Sequence, residues 1–199
     1  MKAFTLFTSL AVALAASSGV SAAVLGAGGS LACNNEVVVS ETFIGANKDV
    51  KLTTSHCGDA PHVNAHGKEV ASLSKRQANT TATNVCGAQC NTFCFNPSGN
   101  GPNEGDCKII ADALLYDSQN TGPLFNISAS GSPTDKVTMQ YGSCQTYFLN
   151  QDFTDLTYCR SDWSSLVNWL ASDCNGANNA HGGLCVAADQ SWYVQVQHT

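Results

Sequence analysis

The run Val137-Thr138-Met139-Gln140-Tyr141-Gly142-Ser143-Cys144-Gln145-Thr146-Tyr147-Phe148-Leu149-Asn150 decides what kind of fold this 199-residue chain can adopt. Val137, Met139 and Tyr141 alternate with Thr138 and Gln140, the period of two that gives a strand one apolar and one polar face. Gln145 to Asn150 reads as the next strand. Working outward, Leu124 to Ser128 is strand-like on the N-terminal side. On the C-terminal side, Trp192, Val194 and Val196 alternate with Tyr193, Gln195 and Gln197. Two helical patterns interleave with these runs. After capping-box-like spacing from Asn103 to Asp106, Cys107, Ile110, Ala111 and Leu114 recur at i, i+3, i+4 and i+7, which predicts a helix over about 104–118. Ser161 is the expected N-cap of a second helix, with Trp163, Leu166, Val167, Leu170 and Cys174 on one stripe and Asn175-Gly176 at its end. Helix, two or three strands, helix, strand is the order of an α+β sandwich of antiparallel strands, not of the alternating units of a nucleotide-binding fold. No Gly-rich phosphate loop of either standard type is present.

The composition narrows the function. Fifteen acidic against nine basic side chains, a net charge of −6, argue against a nucleic-acid partner, because such proteins draw affinity from Lys and Arg on phosphates. No apolar run after the N-terminus reaches the roughly 18 residues that a membrane span requires. The start itself, with Lys2 before the apolar Leu6 to Ala16 and small residues to Ala22, predicts a signal peptide over 1–22 and an extracellular location. Export puts the ten cysteines in an oxidising compartment, where an even number predicts a disulfide framework. The sequons at Asn79 and Asn126 fit a secreted glycoprotein.

Lys75-Arg76, followed by Gln77, resembles the site at which fungal kexin-type proteases release mature secreted proteins. The charge balance changes there: residues 23–76 carry five basic and five acidic side chains, whereas 77–199 carry three basic (Lys108, Lys136, Arg160) and ten acidic. The expectation is a β-rich propeptide or N-terminal module at 23–76, preceding a mature cysteine-rich α+β domain at 77–199. In the first piece, Glu36 to Ile44 and Val50 to Thr54 form a hairpin around Gly45-Ala46-Asn47. A Cys33–Cys57 bridge would close it. That leaves Cys86, Cys90, Cys94, Cys107, Cys144, Cys159, Cys174 and Cys185 to pair within the second piece. Eight cysteines allow 105 pairings and the sequence does not choose among them, with Cys107–Cys144 the one guess, as a helix-to-strand staple.

The motifs Cys-x-Thr-Phe (Cys90 to Phe93), Asp106-Cys107 opening a helix, Tyr-Gly-Ser-Cys (Tyr141 to Cys144), Gly-Gly-Leu-Cys (Gly182 to Cys185) and Trp-x-Val (Trp192 to Val194) together resemble the fungal necrosis-inducing effector family. That family is related in fold to the smut-virus killer toxins. The resemblance spans about 90–196 and implies a compact disulfide-bonded α/β sandwich that is secreted to act on other cells, without cofactor or catalytic residues. The chain departs from the toxins in being acidic, which speaks against a mechanism in which an exposed Lys or Arg meets a channel.

The candidate chemistry is sparse. His56-Cys57, His62 and His66 have ligand-type side chains but no standard metal spacing, so no metal is expected. Glu104, Arg160, His181, His198 and the acidic group Asp152, Asp155 and Asp162 near Trp163 could serve acid–base catalysis, yet no recognised spacing unites them. Tyr193, Gln195 and Gln197, read as the outward side of the last strand, combine an aromatic face with amides as sugar sites do, and His181 in the Asn/Gly-rich loop could add to them. The expected function is a non-enzymatic effector-like or killer-toxin-like protein contacting a cell-surface or cell-wall target. A glycan-binding, lectin-like module is the alternative and a small secreted hydrolase the third reading.

Overall fold

The computed structural model describes residues 31 and 33 and the ranges 35–71, 81–95 and 99–199. The signal segment, Lys75-Arg76 and Asn79 lie outside the described residues. The strands are β1 (Glu36–Ile44), β2 (Val50–Cys57), β3 (His62–Val63), β4 (Glu69–Val70), β5 (Thr83–Asn84), β6 (Cys90–Cys94), β7 (Leu124–Ile127), β8 (Lys136–Tyr141), β9 (Cys144–Asn150), β10 (Leu156–Cys159), β11 (Gly182–Ala187) and β12 (Trp192–His198). Helix α1 (Glu104–Asn120) precedes β7, and α2 (Arg160–Leu170) follows β10 directly and continues as a π-helical segment, Ala171–Ala177.

Seven strands form one antiparallel sheet in the order β1-β2-β8-β9-β12-β11-β6. A three-stranded sheet, β5-β10-β7, and the pair β3-β4 complete the strands. This is the disulfide-stapled α+β fold read from the sequence, with one correction to its organisation. The 36–57 hairpin does not stand ahead of the sandwich. It supplies two of the seven strands of the main sheet, with β2 paired to β8 from Lys51↔Gln140 to Ser55↔Lys136.

Both faces of the sheet's central strands are covered. On the helix side, Val50, Val137, Met139, Phe148, Cys185, Trp192, Val194 and Val196 pack with Ile110 and Leu114 of α1 and Trp163, Val167 and Leu170 of α2. The Phe148 and Trp192 rings stack at 5.2 Å, and the indole N–H of buried Trp163 donates to Thr146 Oγ1 at 3.1 Å. On the other side, Tyr147, Leu149, Leu184, Val186 and Tyr193 pack under Leu31, Cys57 and Val63. The second layer is therefore built largely by the N-terminal segment.

All ten cysteines are paired: Cys33–Cys57, Cys86–Cys159, Cys90–Cys185, Cys94–Cys174 and Cys107–Cys144. The closely spaced Cys86, Cys90 and Cys94 thus diverge to three places, the β10–α2 junction, β11 and the π-helical segment. Bridges of this kind typically contribute ~2–4 kcal/mol each, by restricting the unfolded chain in the entropic account.

Local details refine the helix readings. Asn103 caps α1, its side-chain oxygen accepting from the Gly105 N–H at 2.8 Å. Asp106 does not complete the box. Its carboxylate accepts from the Ser143 N–H and hydroxyl, each at 2.8 Å, which ties the start of α1 to the β8–β9 turn and holds the Asp106 carboxyl below its usual pKa. Ser161 lies inside α2, not at its cap. The cap position is Cys159, which makes no side-chain cap bond and is fixed instead by its bridge to Cys86.

Candidate functional site

The structure moves the sugar-site candidates inward. Tyr193 is 1% exposed and Gln195 is 0% exposed. The Tyr147 hydroxyl lies 2.9 Å from Gln195 Oε1 and 2.8 Å from the Leu31 carbonyl oxygen, and the Gln195 amide N–H donates to Gln197 Oε1. Gln197 in turn donates to Gln145 at 2.9 Å. The side chains of β12 alternate between the two faces as expected, but the Tyr193 face meets the N-terminal segment where water was expected, so Tyr193 cannot stack on a sugar in the whole chain. Burial raises the pKa of both Tyr147 and Tyr193. His181 sits just before β11, its ring centroid 5.4 Å from that of Phe95.

Two of the candidate carboxylates bind loop backbone. Asp155 accepts from the Ala129 N–H at 2.8 Å and Asp162 from the Gly87 N–H at 2.7 Å, while neighbouring Trp163 is wholly buried. Of the ligand-type histidines, His56 places Nδ1 3.0 Å from Asp135 Oδ2, His66 is exposed, and Cys57 is committed to Cys33. Among the described residues, every cluster with metal-ligand geometry includes disulfide sulfurs, which offer no thiolate.

Two surface features remain. A cleft of about 460 Å³ is lined by His56, Asp59, His62, Glu69, Ser130 and Gly131, at the seam between the N-terminal segment and the loop before β8. Asp135 anchors that seam, accepting from the Cys57 and Gly131 N–H groups at 3.1 and 2.9 Å as well as facing His56. The second feature is β1 itself, an edge strand of nine residues of which the first eight are exposed. Val37, Val38, Val39 and Phe43 are 60, 51, 51 and 53% exposed. Beyond its end, the turn Gly45-Ala46-Asn47 and Ile109, Ala113 and Tyr116 of α1 border a depression of about 170 Å³. The sequence reading placed this strand in a pro-segment and so did not count its surface as a site. The signal was the uninterrupted Val37-Val38-Val39, which an ordinary half-buried strand would have alternated with polar residues.

The three basic residues after Arg76 are all engaged. Lys108 pairs with Asp112 at 2.8 Å, Lys136 pairs with Glu36 at 3.0 Å while 7% exposed, and the Arg160 guanidinium donates to the Gly122 and Leu124 carbonyls. In comparisons with known proteins, no family model matches the chain and no curated protein matches it.

Proposed function

We propose that the protein is exported and acts on other cells by surface contact, as an effector-like protein would, with the open β1 edge as its contact surface. The observation that carries this reading is the combination of a fold locked by five disulfides with a long apolar sheet edge left open among the described residues. Sheet edges are usually blunted, because their unpaired N–H and C=O groups recruit other strands. Here the blunting is partial: a bulge between Val38 and Ser40 and the carboxylates of Glu36 and Glu41 sit among four exposed apolar side chains. Such an edge suits an extended segment of a surface target that adds a strand, the main chain giving affinity and Val37, Val38 and Phe43 giving selectivity.

The motif resemblance between about residues 90 and 196 supports the same class of action. The exposed Val37, Val38, Val39 and Phe43 of β1 favour an apolar contact over a cationic one. The lectin-like alternative loses its aromatic platform with the burial of Tyr193.

The test is to apply the purified protein to plant or fungal cells. Dose-dependent death or growth arrest is expected, weakened in V38K/F43K and lost on reduction of the disulfides. Full activity of the edge variant would remove β1 from the mechanism. Steady hydrolysis of a polysaccharide or RNA panel, abolished by a carboxylate substitution, would replace contact by turnover.

A further inference from the structure

We infer that cleavage after Lys75-Arg76 leaves a two-chain protein held together without a covalent bond, in which the 23–76 segment is a permanent subunit and not a discarded pro-piece. The inference rests on the export reading for its protease, and on the described interface for everything else.

The disulfides divide cleanly at the dibasic pair. Cys33–Cys57 lies wholly before it and the other four bridges lie wholly after it. Lys75 and Arg76 fall between the described residues 71 and 81, so a cut there severs no described strand. After it, nothing covalent joins the two pieces.

The non-covalent contacts are those of a folded interior. Val50 and Ile44 belong to the helix-side core, where a Cβ on Gly45 would lie 2.8 Å from that of Ala113 on α1. On the opposite face, Leu31, Cys57 and Val63 cover Leu184, Val186 and Tyr193, and a Cβ on Gly67 would lie 2.5 Å from the Phe93 ring. Polar groups are matched across the same boundary. Gln151, 2% exposed, accepts from the Val63 N–H at 2.6 Å and donates to the Val63 carbonyl at 3.0 Å, so its amide reads that residue as a neighbouring strand would. Asp135 accepts from the Cys57 N–H, Lys136 faces Glu36, and the Tyr147 hydroxyl meets the Leu31 carbonyl. Departure of the segment would leave Asp135, Lys136, Tyr147 and Gln151 facing an emptied boundary, uncover a row of apolar side chains and open β8 as a new edge. Unmade buried hydrogen bonds and newly exposed apolar area both oppose that departure.

The experiment uses the secreted full chain and, in parallel, a full chain whose Lys75-Arg76 is replaced by the recognition sequence of a specific protease. Denaturing, non-reducing electrophoresis should show two fragments after cutting, while native mass spectrometry and gel filtration at micromolar concentration should show one species containing both. Fragments that elute apart under native conditions overturn the inference. A secreted wild-type chain that remains whole overturns its processing limb, whereas the engineered cut still decides whether the pieces hold together. Gln151→Leu should raise the dissociation constant of the cut pieces roughly tenfold or more. The milder Asn91→Ala, which removes an exposed hydrogen bond to the Ala65 carbonyl, should raise it only slightly and serves where the first variant folds poorly. Equal retention in Gln151→Leu and wild type would contradict the role given to the amide.

Discussion

Tyr193 shows what a residue's sequence neighbourhood conveys and what it omits. Its alternation with Trp192 and Val194 places it on the opposite face of β12, and the structure agrees. Whether that face meets water depends on Leu31, Cys57 and Val63, more than a hundred residues away, and no local pattern records them. The burial has an optical consequence. Tyr147 and Tyr193 are held protonated by desolvation, so a spectrophotometric titration should leave them un-ionised until the chain unfolds. Early ionisation of all five tyrosines would contradict the covered face.

His62 offers a second residue-level test. Burial lowers its pKa, and among the described residues no hydrogen bond reaches its Nδ1. The unfolded chain therefore binds a proton more readily than the folded one, and stability rises with pH where the two differ. This contribution is complete above the unfolded value of about 6.5 and is lost as pH falls toward the folded one. The lowered Asp106 carboxyl acts in the same direction at lower pH, its contribution present above the ordinary carboxylate range and lost on protonation. Denaturant midpoints should fall below pH 6.5, and His62→Leu should flatten that first decline. An unchanged slope would remove His62 as its source.

At the scale of elements, legibility followed amphipathicity. The stripes Cys107, Ile110, Ala111, Leu114 and Trp163, Val167, Leu170, Cys174 are buried as their spacing requires, with Leu166 of the second stripe only partly buried, and β8, β9 and β12 fall within one or two residues of their expected bounds. β11 was harder to see because all six of its residues are buried, which erases alternation, and it opens on Gly182-Gly183. The start of α2 shifted from Ser161 to Cys159 because β10 runs straight into the helix, with the Arg160 N–H donating to the Pro123 carbonyl at 2.9 Å. β1 carries the prediction that belongs here. Phe43→Lys on an exposed edge should change unfolding free energy by no more than about 0.5 kcal/mol, yet reduce target contact. A large loss of stability would show that Phe43 packs where the structure leaves it exposed.

The whole molecule joins two stretches that charge balance and cysteine count made look separate. The chain distributes its disulfides as two pieces would, but its sheet and both cores cross the boundary between them. Only strand pairing between distant residues reveals this, and pairing of that kind leaves no local trace in sequence. The most direct measurement is native-state hydrogen exchange on the intact chain, comparing β2 with its neighbour β8 and the central β9. A shared sheet predicts that the β2 amides exchange only with the global unfolding that also releases β8 and β9. Exchange of β2 orders of magnitude faster, while β8 and β9 stay protected, would show the N-terminal segment opening on its own and would contradict the account.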